Sequence, residues 1–174
     1  MQERRTCHFH VQGQPTGITF TRSNTSFQAA LAHIQIDPSL IQDICVGTVL
    51  PPGAPYEARA AALAAGIPSS TPLQVINRFC SSGLMAVNTI STQIRSGQIQ
   101  IGLAVGVESM TANPDRGSPQ FSEEIMSVQE GRDCSMPMGW TSENVASDFK
   151  VSREDMDEFA ALWVFLLPIT HEMA

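Results

Sequence analysis

Between residues 26 and 107 the chain switches repeatedly between helical and extended apolar patterns, and that alternation constrains its fold more than any other feature. Phe27, Ala30, Leu31 and Ile34 recur at helical spacing, with Ser26 as a candidate N-cap and Asp37-Pro38 as a stop. Residues 44–50 read as a buried strand ended by Pro51-Pro52-Gly53. An alanine-rich helix is predicted over 57–65, where Gly66-Ile67-Pro68 stops it, and a short strand over 73–76. The next helix is predicted over 81–95, with Leu84, Val87, Ile90 and Ile94 on one face and Gly97 past its end. Residues 99–107 form the last predicted strand. Strands alternating with helices predict a layered α/β fold with a mostly parallel sheet.

The rhythm breaks outside this block. Residues 1–25 show no clear periodicity and read as an irregular segment. Residues 113–131, rich in Asn, Asp, Gly, Ser, Pro and Glu, read as a long loop or insertion. Helices are predicted over 141–149 and 152–162, the second opened by a capping box, Ser152-Arg153-Glu154-Asp155. A last segment, 163–174, begins with the apolar run Trp163-Val164-Phe165-Leu166-Leu167, too short for a membrane span of about 20 residues.

Composition excludes several function classes. A net charge of −7 without a basic stripe argues against a nucleic-acid partner. Cys7, Cys45, Cys80 and Cys134 are scattered without a CxxC pair, which suits a reducing compartment. Cys7, His8 and His10 lack a second ligand pair at a plausible spacing, so no metal site is expected. No secretory signal is visible at the N-terminus, and the last residues do not form a Ser-Lys-Leu address.

The chemistry-bearing feature is the junction Val75-Ile76-Asn77-Arg78-Phe79-Cys80-Ser81-Ser82-Gly83-Leu84. A thiol where a strand passes into a helix meets the positive end of the macrodipole, an environment that favours a thiolate. The alternative is a small buried hydrophobe, as most free cysteines are. Ser81 and Ser82 are expected to satisfy local backbone groups. Gly102 and Gly106, inside a strand pattern, point to close backbone approach.

Three motifs occur in one order: Asn77-Arg78-Phe79-Cys80-Ser81-Ser82-Gly83-Leu84, Gly102-Leu103-Ala104-Val105-Gly106-Val107-Glu108-Ser109-Met110, and Met136-Pro137-Met138-Gly139-Trp140-Thr141-Ser142-Glu143-Asn144-Val145-Ala146. Together they resemble the thiolase family, and within it the degradative 3-ketoacyl-CoA thiolases of fatty-acid β-oxidation, over residues 27–162. The resemblance implies a thiolase-like layered α-β-α fold, of which this chain holds an incomplete N-terminal half. It divides the chain into an irregular segment 1–25, a core 26–112, the start of a loop domain 113–162 and a divergent tail 163–174.

It also implies acyl transfer, with Cys80 as the acyl-thioester nucleophile and Gly83, Met138 and Asn144 as substrate-binding residues. Gly83 would leave room for the acyl group or for another backbone. Glu108 would anchor a loop and not act as a base. Coenzyme A would serve as a substrate, with no further cofactor. A homodimer, or association with another thiolase subunit, would form through strand 99–107 as a sheet edge. The compartment would be the peroxisome or mitochondrion. The family's Gly-His-Pro, Cys-x-Gly-x-Gly and Asn-Glu-Ala-Phe motifs are not among these residues, and Cys45-Val46-Gly47 imitates the second only in part. That departure leaves an alternative open, a catalytically inactive thiolase fragment or interaction partner. A ketosynthase-type condensing enzyme also uses a cysteine at a helix start, but the later motifs disfavour it.

Overall fold

The computed structural model describes residues 5–10, 19–117 and 119–172, with 5–10, 19–26 and 165–172 as backbone elements only. The chain divides into two compact units, Met1–Asp115 and Arg116–Ala174. In the first, strands β1 (Arg5–His10), β2 (Asp43–Gly47), β3 (Leu73–Ile76) and β4 (Ile101–Gly106) form one parallel sheet, ordered β1-β4-β2-β3. Three helices pack with it: α1 (Thr19–Ile34), α2 (Ala54–Ala64) and α3 (Ser82–Arg95).

Side chains alternate across the sheet, and each face has its own core. Ile44 and Val46 of β2, with Leu103 and Val105 of β4, pack against Phe27 and Ala30 of α1 and Ala58, Ala61 and Ala62 of α2. On the opposite face Cys45 and Ala104, paired in register, meet Ala86, Ile90 and Ile94 of α3. The result is three layers, helix on sheet on helix. Both faces of a parallel sheet are covered, which is why β2 and β4 read as apolar runs. Fully burying side chains such as Phe27, Ile44 and Ile90 stabilises the unit by roughly 1.5–3 kcal/mol each.

Several expectations are corrected. The segment expected to be irregular contains β1, which pairs residue by residue with β4 from Arg5–Ile101 to His10–Gly106. Backbone pairing with an already formed strand needs no apolar pattern of its own. Its Cys7, His8 and His10 side chains lie outside the described residues. Strand β4 is interior, flanked by β1 and β2, so it is not the sheet edge expected of residues 99–107. Ser26 is not an N-cap, because α1 begins at Thr19. Asp37 instead caps a single 3-10 turn, Pro38–Leu40, its carboxylate accepting from Ser39 N at 2.9 Å. That bond holds the Asp37 carboxyl below its usual range.

The second unit consists of α4 (Glu123–Ser127), α5 (Gln129–Asp133), α6 (Met138–Phe149) and α7 (Arg153–Glu172). The stretch expected as a loop thus holds two short helices. Arg132 joins them, donating to the carbonyls of Met126 at 2.8 Å and Ser127 at 3.1 Å. Helix α7 opens on the expected capping box: Asp155 N donates to Ser152 Oγ and Ser152 N to Asp155 Oδ2, both at 3.1 Å. Hydrogen bonds from Ser152 lower the Asp155 pKa. The helix continues past residue 162 as far as Glu172. None of the described residues in this unit is buried, and Trp140, Phe149, Phe159 and Trp163 are exposed.

Candidate active site

Strand β3 ends at Ile76 and α3 starts at Ser82, with Ser81 as its N-cap. Cys80 therefore stands one residue before the cap, and the helix starts one residue later than predicted. A tight turn fills the gap: Ser81 N donates to Arg78 O at 3.2 Å and Ser82 N to Phe79 O at 3.0 Å. Phe79 has φ +48°, a left-handed conformation uncommon for a bulky residue. Its N–H donates to Asn77 Oδ1 at 2.9 Å. Cys80 is exposed, which rules out the reading of a buried structural thiol. The Arg78 guanidinium lies against Met85 Sδ at 2.8 Å.

Glycines seat the first turn of α3 directly on the sheet. A Cβ on Gly47, at the end of β2, would meet the Ser82 carbonyl and stand 2.7 Å from Gly83 N. A Cβ on Gly106, at the end of β4, would stand 3.3 Å from Gly83 Cα. Gly106 is thus explained by close approach of another backbone, whereas a Cβ on Gly83 would stand an ordinary 3.7 Å from Gly106 Cα. Gly102 faces side chains instead: a Cβ there would fall 2.8 Å from atoms of Ile90 and Ile99.

The neighbouring loop is fixed from two sides. Glu108 accepts from Val49 N at 2.8 Å and from Leu50 N at 3.4 Å, while Asn77 Nδ2 donates to Val49 O at 3.2 Å. Its carboxylate is an anchor, as expected. Sequence reasoning missed Asn77 and Gly47 as parts of this architecture. The available signal was a polar residue at the end of β3 and a glycine at the end of β2.

Met138 and Asn144 belong to the second unit. Met138 is the first residue of α6, is exposed, and its carbonyl accepts from Thr141 Oγ1 at 2.8 Å. Asn144 lies mid-helix and exposed, its Nδ2 3.9 Å from Met136 Sδ, so it is no helix cap.

The thiols differ sharply in environment. Cys45 is fully buried beneath α3, and burial pushes its pKa up to about 11. At neutral pH roughly one Cys45 in 10⁴ is a thiolate, and its reactivity should climb until pH nears that value. Iodoacetamide at neutral pH is therefore expected to modify Cys80 at least about 100-fold faster than Cys45. Cys80 should also outpace Cys134, whose exposed thiol lies 3.3 Å from Glu130 O. Peptide mass spectrometry reads the order; equal rates would remove the case for a presented thiol at Cys80.

A parallel three-layer unit holds an exposed cysteine just ahead of the helix that covers one face of its sheet. The model of the thiolase N-terminal domain matches residues 11–162, and the chain belongs to the thiolase family. It is 53% identical over 132 residues to the peroxisomal 3-ketoacyl-CoA thiolase of Saccharomyces cerevisiae, covering 74% of this chain and 32% of that protein. The solved dimeric peroxisomal thiolase of the same yeast superposes with a TM-score of 0.75 at 47% identity, over 82% of this chain and 38% of that one. Human mitochondrial 3-ketoacyl-CoA thiolase, solved in complex with CoA, gives a TM-score of 0.62 at 29% identity, over 82% and 39% of the two chains. The chain spans about a third of the length of the curated relatives it matches. The match begins upstream of Phe27, where the motif-based resemblance starts.

Proposed function

We propose that this chain supplies the nucleophile half of a 3-ketoacyl-CoA thiolase, with Cys80 accepting the acyl group as a thioester. The observation that carries this reading is an exposed thiol held just ahead of α3 in a family whose relatives bear that activity in their names. In the complete reaction a 3-ketoacyl-CoA is cleaved to acetyl-CoA and an acyl group on Cys80, which CoA then removes. Covalent catalysis divides one hard displacement into two easier ones. The N–H groups of the first turn of α3, Gly83 among them, favour negative charge developing on the acyl oxygen. The family resemblance assigns substrate binding to Met138 and Asn144 as well. CoA is the substrate class, consistent with the CoA complex of the human mitochondrial enzyme.

The yeast relative's dimeric state supports a homodimer, or pairing with another thiolase subunit, and the relatives' names support a peroxisomal setting. A second reading, a catalytically inactive thiolase fragment or interaction partner, is favoured by one observation. No residue of this chain stands in a Gly-His-Pro or Cys-x-Gly-x-Gly motif.

The second half-reaction, run in reverse, tests the proposal. With labelled acetyl-CoA at alkaline pH, Cys80 attacks the thioester carbon, the bond to the CoA sulfur breaks, and the departing CoA thiolate takes up a proton. Label is expected on Cys80 and nowhere else, and none on the Cys80→Ala chain. Label that persists after that substitution would overturn the assignment of the nucleophile.

A further inference from the structure

We propose that Ser82 is a positioning residue for Cys80: its hydroxyl locks the left-handed turn that presents the thiol. This rests on the acyl-transfer reading of Cys80. Ser82 is buried, with 3% of its surface exposed, whereas Arg78, Phe79 and Cys80 are exposed. Its Oγ accepts from Arg78 N at 2.8 Å and donates to Phe79 O at 2.6 Å. One hydroxyl, using its donor and an acceptor site, thus ties the backbone on both sides of Phe79. Ser82 N also donates to Phe79 O, so that carbonyl is held twice.

The anchor itself is fixed. The Ser82 carbonyl lies against Gly47, where no side chain could intervene, so the residue cannot drift from the end of β2. Cys80 sits in the span between the tied residues and Ser82. Ser81 Oγ adds a bond to Arg78 O at 2.9 Å, but from a position less buried than Ser82. A Phe at φ +48°, with 77% of its surface exposed, gains no packing that would hold this conformation. Strained backbone persists where surroundings over-determine it, and here Ser82 supplies that restraint. Losing the restraint lets residue 79 relax toward negative φ and swings the next residue, Cys80, away from its set position.

The full chain is tested by two measurements in parallel: transfer of label from acetyl-CoA to Cys80, and alkylation of Cys80 by iodoacetamide. Ser82→Ala is expected to slow acyl transfer about 10- to 100-fold, because a misplaced nucleophile loses alignment. Alkylation, which needs only access, should change less than about twofold. Adding Phe79→Gly to Ser82→Ala should recover most of the acyl transfer, since glycine adopts positive φ without restraint. A merely structural role for Ser82 would slow both reactions and expose Cys45 to alkylation, with no recovery from glycine at 79; that pattern overturns the proposal. Acyl transfer unchanged in Ser82→Ala overturns it while leaving the nucleophile assignment intact. Absence of label on the unsubstituted chain removes the acyl-transfer reading and this role with it.

Discussion

Gly47→Ala is expected to destabilise the first unit by about 3 kcal/mol, a large fraction of a small domain's stability. Gly47 ends β2, paired with Ile76 on one side and Gly106 on the other. Over it lies the first turn of α3, and the three nearest atoms a new Cβ would meet are all backbone: the Ser82 carbonyl group and Gly83 N. Backbone cannot rotate aside as a side chain can. Relief requires α3 to lift from the sheet, which opens its contacts with Cys45 and Ala104 and disturbs the turn that carries Cys80. The other two glycines grade the effect. At Gly106 the Cβ contact of 3.3 Å asks for a shift of a few tenths of an ångström, expected to cost about 1 kcal/mol. At Gly83 the contact of 3.7 Å is ordinary, and alanine's helix propensity should make that change neutral or stabilising by up to about 1 kcal/mol. Urea denaturation of the three variants reads the order directly. Equal midpoints for Gly47→Ala and Gly106→Ala would show that α3 does not sit on the sheet as described.

That seating also shows where the sequence was readable. Strand β3, the stop at Gly66 and the capping box of α7 are local in cause, and local pattern identifies them. The Cys80 junction was legible for the same reason. What escaped depends on neighbours distant in sequence. Leu84 was expected on the inner face of α3, yet it is exposed, and Ser82, Ala86, Ile90 and Ile94 are buried instead. Close approach to Gly47 and Gly106 selects small residues for the first two turns, which rotates the buried stripe away from the largest side chain. Residues 48–50 looked like strand. They leave β2 because Val49 N and Leu50 N donate to Glu108, a partner 58 to 59 residues away. The pairing of β1 with β4 has no signature in residues 5–10 themselves.

Steady-state thiolysis of 3-ketoacyl-CoA by the 174-residue chain is expected to lie at least about 10⁴-fold below that of a complete thiolase. A single acylation of Cys80 needs only a thiolate, which alkaline solvent can provide. Turnover needs more: a group to take the thiol proton, and another to protonate the carbanion that leaves. Among the described residues of the first unit, three candidates fail for physical reasons. The Glu108 carboxylate is committed to the N–H groups of Val49 and Leu50. Arg78 is a permanent cation and no base. Cys45, the nearest imitation of the family's second cysteine, lies in the core on the far side of α3's buried stripe from solvent. Its thiol is fully buried, so it cannot reach a carbanion leaving at the exposed Cys80, whatever its protonation state. An assay with acetoacetyl-CoA and CoA, with Cys80→Ala as control, measures the difference. Brisk turnover abolished by Cys80→Ala would mean that a proton acceptor exists among these residues. Turnover untouched by that substitution would instead expose a contaminating enzyme. Labelling of Cys80 without turnover is the expected outcome, and it would separate presentation of the nucleophile from the proton transfers that complete the reaction.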